Sequence, residues 1–225
     1  MFSLGETIVT WTATDAAGNF ASTNQKITII DTSAPELTIP DNAIVDAIGL
    51  ETIVSIGEAT STDLADPLPS ISNDAPQTFS LGQTLVTWTA IDSFGNSASA
   101  TQTIDVQACG KPISYYNLIE GTPADDILVG TNLPDLIFAH GGDDIISGGK
   151  GNDCIFGGEG DDIIFGDEGN DGLNGGEGND IIKGKSGSDV ITGGTGMDII
   201  DGGDDNDSCT DANNSDGDLV VKCES

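Results

Sequence analysis

Residues 148–165 read Gly148-Gly-Lys-Gly-Asn-Asp-Cys-Ile-Phe156 and then Gly157-Gly-Glu-Gly-Asp-Asp-Ile-Ile-Phe165. The second nine residues repeat the first almost position by position. Extending the register in both directions from Gly121 gives GTPADDILV, GTNLPDLIF, AHGGDDIIS, GGKGNDCIF, GGEGDDIIF, GDEGNDGLN, GGEGNDIIK, GKSGSDVIT, GGTGMDIID and GGDDNDSCT, ten blocks without an insertion. The sixth position is Asp in all ten, and the eighth is Leu or Ile in nine, with Cys209 in the last. A fixed period of this kind marks a stacked repeat rather than a disordered acidic tract.

Six polar, Gly-rich positions make a turn, and three positions make a short strand. The residue at position eight points inward, and positions seven and nine point outward. Two nonapeptides then form one 18-residue coil with a turn on each side, and ten blocks give about five coils stacked ~4.8 Å apart. Stacking places Asp above Asp. At ~5 Å and an effective dielectric near 20, each such pair repels by roughly 3 kcal/mol. A hard divalent cation relieves this, and carboxylates with Gly carbonyls supply the 6–8 oxygens that Ca²⁺ takes. Mg²⁺ demands tighter octahedral geometry. Zinc or copper would need His or thiolate, and the chain has one His and four Cys.

These blocks closely resemble the RTX, or hemolysin-type calcium-binding, repeat G-G-x-G-x-D-x-U-x. Residues 148–156, 157–165, 175–183 and 193–201 match it in full. The resemblance implies a parallel β-roll with Ca²⁺ between adjacent turns. It also implies ligands from the position-six Asp and from carbonyls at positions one, two and four. Carried over, the metal residues are Asp144, Asp153, Asp162, Asp171, Asp180, Asp189 and Asp198 with Gly148, Gly149, Gly151, Gly157, Gly158, Gly160, Gly166, Gly169, Gly175, Gly176, Gly178, Gly187, Gly193, Gly194 and Gly196. Asp126, Asp135 and Asp207 sit in the degenerate end blocks, where Pro123 and Pro134 enter the turn and Asp205 replaces a Gly. Ten blocks allow at most eight inter-turn sites, and four to six ions are expected.

The N-terminal half carries a longer repeat. Phe2–Asn19 recurs as Phe79–Asn96, an offset of 77 throughout. Val9, Trp11 and Ala13 alternate with Thr, as do Val86, Trp88 and Ala90, which is the period of a half-buried strand. Asp15-Ala-Ala-Gly-Asn19 and Asp92-Ser-Phe-Gly-Asn96 read as turns, followed by strands at Gln25–Ile30 and Thr101–Val106. An antiparallel sandwich is expected. Asp31-Thr-Ser-Ala-Pro35, the V-T-W-T-A strand and Asp-x-x-Gly-Asn resemble the HYR (hyalin repeat) family of immunoglobulin-like modules. That resemblance implies an extracellular, adhesive setting with a cell-surface or matrix component as partner. The fold class is therefore all-β: immunoglobulin-like β-sandwich followed by parallel β-roll. The expected boundaries are 1–30 for part of a module, 31–107 for a full one, 108–120 for a linker and cap, 121–210 for the roll and 211–225 for a closing cap. Because the first copy lacks its leading half, Met1 is expected to lie inside a module.

The net charge is −32, all six cations are Lys, and residues 121–210 alone carry −17. Nucleic acid and anionic membranes need a cationic footprint, so neither is an expected partner. No run of 18 apolar residues is present. No H-E-x-x-H, G-x-S-x-G or P-loop occurs, and the lone His140 sits in a repeat turn; no enzymatic activity is expected. Cys109, Cys154, Cys209 and Cys223 permit three pairings. Cys109–Cys154 and Cys209–Cys223 are favoured, one stapling each end of the roll, which suits a secreted chain. Asn206 and Asn213 fit N-x-S. The expected function is an extracellular calcium-binding structural or adhesion protein. The alternative is the non-catalytic C-terminal region of a secreted enzyme or toxin.

Overall fold

The computed structural model describes residues 2–210 and 217–223; Asn213 and most of the segment after Thr210 lie outside the described residues. Ten strands precede Ala108: β1 (Gly5–Thr14), β2 (Phe20–Ile29), β3 (Glu36–Thr38), β4 (Ala43–Asp46), β5 (Glu51–Thr52), β6 (Thr60–Thr62), β7 (Ser70–Asn73), β8 (Phe79–Ser80), β9 (Gly82–Ile91) and β10 (Ser97–Gln107). The chain forms two compact units. The first holds residues up to Asp41 with Ile56–Ala75 and Leu85–Gln102, and the second holds Asn42–Ser55, Pro76–Thr84 and the chain from Thr103 onward.

In the first unit β1 and β2 make an antiparallel hairpin, β3 pairs with β6, and β7 pairs with β9. The strands after each Asp-x-x-Gly-Asn turn start at Phe20 and Ser97, earlier than the sequence reading placed them. The cause lies in the turn: the Asp15 carboxylate accepts the N–H groups of Ala17 and Asn19, and Asp92 does the same for Phe94 and Asn96. The chain is closed so tightly that pairing begins at once. β9 buries Val86, Trp88 and Ala90, and Trp88 Nε1 donates to Gln102 Oε1 at 3.0 Å.

In the second unit β5 pairs with β8, and β4 runs parallel to the end of β10, with Ile104 opposite Ala43. This parallel pair departs from the all-antiparallel expectation. The rest of the unit is a solenoid of two six-stranded parallel sheets. One contains β11 (Asn117–Glu120), β13 (Asp135–Gly141), β15 (Cys154–Glu159), β17 (Gly172–Glu177), β19 (Val190–Thr195) and β21 (Ser208–Thr210). The other contains β12 (Ile127–Val129), β14 (Ile145–Lys150), β16 (Ile163–Glu168), β18 (Ile181–Ser186), β20 (Ile199–Asp204) and β22 (Leu219–Val221). Partners lie 18 residues apart, as in Ile155 with Leu173 and Ile164 with Ile182. Position eight supplies the core: Ile137, Ile146, Ile155, Ile164, Leu173, Ile182, Ile191 and Ile200 are all buried in one column.

Four outward positions behave differently from expectation. Leu136, Phe138, Cys154 and Phe156 are buried on the outer face of their sheet, where Ala108, Ile113 and Tyr116 cover them. The segment before the first nonapeptide thus covers a side of the roll and also adds β11 to its end. Cys109–Cys154 and Cys209–Cys223 are both bonded. Gly172 stands at an outward position that is apolar in most blocks, because a Cβ there would lie 2.9 Å from Cys109 Cβ. Among the described residues no helix is long and apolar enough to cross a membrane.

Candidate metal centre

Each turn of the roll is shaped by its first and fourth positions. From the third block onward position four adopts a left-handed backbone, as at Gly151 with φ 133°, which Gly enters without strain. Position one is Gly for a different reason. A Cβ on Gly148 would lie 2.5 Å from Asp153 Oδ2 and 2.7 Å from the Gly166 carbonyl oxygen. Two oxygens therefore face one small space that a side chain would fill. The same arrangement recurs at Gly157 with Asp162 and Gly175, at Gly166 with Asp171 and Gly184, at Gly175 with Asp180 and Gly193, and at Gly184 with Asp189 and Gly202.

The carboxylates form two ladders, one per side. The N–H of Asp144 donates to Asp162 Oδ1 at 2.9 Å, Asp162 to Asp180 at 2.8 Å and Asp180 to Asp198 at 2.9 Å. On the opposite side Asp135, Asp153, Asp171 and Asp189 donate in turn to Asp153, Asp171, Asp189 and Asp207. One oxygen of each rung is thus used. The other, Oδ2 of Asp144, Asp153, Asp162, Asp171, Asp180, Asp189 and Asp207, is buried and accepts nothing from the protein. The residues themselves are no more than 2 % exposed.

Burial without enough donors penalises the charged form. It pushes the Asp171 carboxyl up to about 8, Asp162 to about 7, and Asp153, Asp180 and Asp189 to about 6. The N–H of the neighbouring rung pulls each value back, and like charges on adjacent coils add to the rise. Asp144 is raised by the same burial.

The end blocks differ. Asp126 Oδ2 accepts both the N–H and the hydroxyl of Thr122, and Asp135 Oδ2 accepts the same pair from Thr131. Asn117 also donates to Asp135 Oδ1 at 2.8 Å. These two carboxylates are satisfied by the protein. The third degenerate residue, Asp207, is not; it resembles the central rungs.

Two features escaped the sequence reading. Gly184 belongs to the same set of position-one cradles as Gly157 and Gly166. Position five carries a second ladder running the other way: Asp143 N–H donates to Asp125 Oδ1, Asp161 to Asp143, Asn179 to Asp161, Asn170 to Asn152 and Ser188 to Asn170. The clue was present, since seven of the ten blocks have Asn or Asp there. At position two, where His140, Asp167 and Lys185 keep the left-handed backbone with φ of 78°, 77° and 76°, Lys185 forms an ion pair with Asp167 and lies 4.5 Å above the Phe165 ring.

The ligating atoms are hard oxygens, an unpartnered carboxylate Oδ2 beside a backbone carbonyl, in a cradle shaped for a group larger than a proton. This fits Ca²⁺. Soft-ligand metals find nothing comparable: all four Cys are in disulfides. In the first unit Asp31, Asp63 and Asp92 also converge to within 4.8 Å. There the turns use both oxygens of Asp92 and one each of Asp31 and Asp63, while Asp31 Oδ2 is buried without a partner.

A parallel β-solenoid with carboxylate and carbonyl oxygens in every turn defines a repeat protein of the calcium-binding type. The model for the RTX calcium-binding nonapeptide repeat matches in four copies, at residues 120–154, 141–173, 155–182 and 174–209, and the HYR domain model matches residues 30–106. The chain carries RTX calcium-binding nonapeptide repeats and an HYR domain. It is similar to hyalin from Lytechinus variegatus, 40% identical over 114 residues, and to hyalin from Strongylocentrotus purpuratus, 39% identical over 112 residues. Each match covers 47% of this chain but only 22% and 9% of those proteins. Neither matched family is an enzymatic one.

Proposed function

We propose that this chain is an extracellular structural protein in which the HYR domain serves adhesion, to a cell-surface or matrix component, and the roll folds when Ca²⁺ binds between its stacked turns. The observation that supports this most is the row of buried Oδ2 atoms without a donor, those of Asp153, Asp162, Asp171, Asp180 and Asp189 each lying beside a carbonyl of the next coil. Without a cation that arrangement is unfavourable: a buried carboxylate lacking partners is expensive. With one, each rung becomes a ligand, and binding to the folded state alone stabilises that state.

The proposed ligands are Asp153, Asp162, Asp171, Asp180 and Asp189 with the position-one carbonyls that face them, extended by Asp144 and Asp198. Asp126 and Asp135 are left out, because Thr122 and Thr131 already serve them. Four to six ions follow. Five would reduce the roll's −17 to about −7. The hyalin relatives, the two disulfides and the HYR domain support an extracellular setting.

Titrating the full chain with Ca²⁺ from an EDTA-treated state tests this. Far-ultraviolet circular dichroism should gain β signal over the 10⁻⁴–10⁻³ M range, roughly that of extracellular calcium modules. Equilibrium dialysis should count four to six ions per chain. An unchanged spectrum together with no bound Ca²⁺ would overturn the reading.

A further inference from the structure

The nonapeptide register stops at Thr210, and the RTX match stops at 209. The ladder does not stop there. The Asp198 N–H donates to Asp218 Oδ1 at 2.8 Å, a partner 20 residues away instead of 18. β22 then stacks on β20 with Ile199 opposite Leu219, Ile200 opposite Val220 and Asp201 opposite Val221. Two extra residues have shifted the frame, and the rung resumes beyond them.

The next residue is Lys222, which comes level with Gly202 and has a left-handed backbone at φ 51°. A Cβ on Gly202 would run into the Lys222 carbonyl oxygen and would lie 2.5 Å from Asp207 Oδ2. This is the same pair of oxygens seen around Gly148. Asp207 is 2 % exposed; its Oδ1 accepts the Asp189 N–H at 2.9 Å, and its Oδ2 has no partner. The Lys222 ammonium does not fill the space, since it lies 3.6 Å from Asp201 on the strand face. Immediately after it, Cys223 is bonded to Cys209, and both pack on the end of the Ile column.

We propose that Asp207 Oδ2 and the Lys222 carbonyl bind a further Ca²⁺ ion in the last turn, and that the Cys209–Cys223 disulfide is what holds the second ligand there. The proposal rests on the calcium reading of the array, and it adds a site that the nonapeptide pattern does not contain. A three-residue strand with Leu219 55% exposed has little to anchor it. The disulfide closes the loop that carries it and so removes much of the freedom that would otherwise carry the carbonyl away.

Ca²⁺ per chain, counted by equilibrium dialysis at saturation on the full oxidised protein, tests the idea. Asp207→Asn should lose one ion. Gly202→Ala, which fills the cradle without altering charge or disulfide, should also lose one. Cys209→Ser/Cys223→Ser, which keeps Cys109–Cys154, should lose the same ion, and combining it with Asp207→Asn should lose no more. An unchanged count in both Asp207→Asn and Gly202→Ala would overturn the site. A full count in the Cys double variant would overturn the role of the disulfide. If that double variant loses the whole roll by circular dichroism, Gly202→Ala with an intact spectrum still decides whether the site exists. A chain that binds no Ca²⁺ at all would remove the whole array, whereas a loss of none from an otherwise calcium-loaded array removes only this site.

Discussion

Asp92 in the HYR domain and Asp171 in the roll are both buried, at 5% and 2% exposure, yet their acidities move in opposite directions. At Asp92 burial raises the pKa, but the Asn96 side chain and the N–H groups of Asn96, Phe94 and Gly95 outweigh it and hold the carboxyl below its usual value. At Asp171 burial also raises it, and a single N–H from Asp153 is too little compensation, so the value reaches about 8. The difference lies in how many donors the fold supplies. The turn around Asp92 serves both of its carboxylate oxygens with local donors, whereas the central rungs of the roll, from Asp144 to Asp189, each leave one oxygen for something else.

The largest consequence concerns calcium removal. In EDTA the roll should lose most of its β signal while the HYR domain keeps its own. Both Trp residues, Trp11 and Trp88, lie in the N-terminal half. Trp88 fluorescence should therefore stay blue-shifted while the far-ultraviolet spectrum collapses. Simultaneous exposure of Trp88 would break the comparison, because it would make the domain depend on the metal as well. Within the domain, Trp88→Ala should cost about 3–5 kcal/mol, as for other buried large side chains, with or without calcium. Chemical denaturation followed by an HYR-domain probe would measure this.

How much of this was readable beforehand depends on periodicity. The ten position-six Asp residues and the Ile column repeat every nine residues, so the coil, its columns of stacked position-six Asp and its inward face were legible from spacing alone, whereas the position-five ladder was not. Features set by contacts between distant segments were not. Leu136, Phe138, Cys154 and Phe156 occupy outward positions by register and are buried only because Ile113 and Tyr116 fold over them. Asp126 and Asp135 look like their neighbours in sequence; Thr at position two changes their chemistry. Asp218 and Lys222 were hidden by a shift of two residues, which a strict register discards.

Substituting the two aspartates separates the regions further. Asp171→Asn should weaken the calcium-loaded roll by about 2.7 kcal/mol for one lost site at a hundredfold excess of Ca²⁺ over its dissociation constant. In EDTA the same change should increase residual structure, since it removes a buried carboxyl that resists ionisation. Asp92→Asn should lower stability equally in both conditions. Thermal melts with and without Ca²⁺ would show whether the sign reverses at one position only.

The same contrast predicts opposite responses to pH. The roll carboxyls have folded values of about 6 to 8 against an unfolded value near 3.8. A raised carboxyl favours the fold while it is protonated, so that contribution is present near pH 4 and is lost as pH climbs towards 8. The calcium-free roll should therefore gain β signal on acidification from pH 8 to about 5, and Ca²⁺ affinity should fall over that interval as protons compete. Asp15 and Asp92 have lowered values, so their contribution is present above about 3.8 and is lost only in stronger acid. A calcium-free roll whose spectrum is flat from pH 8 to 5 would mean that the rungs are already neutralised by other means.

The smallest effect tests the comparison within the N-terminal half itself. Trp11 and Trp88 occupy equivalent places 77 residues apart, and each donates its indole N–H to an equivalent Gln, Gln25 at 2.9 Å and Gln102 at 3.0 Å. Yet Trp11 is 60% exposed and Trp88 4%. Gln102 goes on to donate to the carbonyls of Asp41 and Ile56, tying the hairpin to other segments of its module. The hairpin sequence is thus nearly the same, and only the surrounding segments differ. Trp11→Ala should change stability by no more than about 0.5 kcal/mol, the usual range for a surface position, against several for Trp88→Ala. A loss at Trp11 matching that at Trp88 would show that the first hairpin is covered in solution, and the exposure of its Trp would then have to be explained by a partner surface.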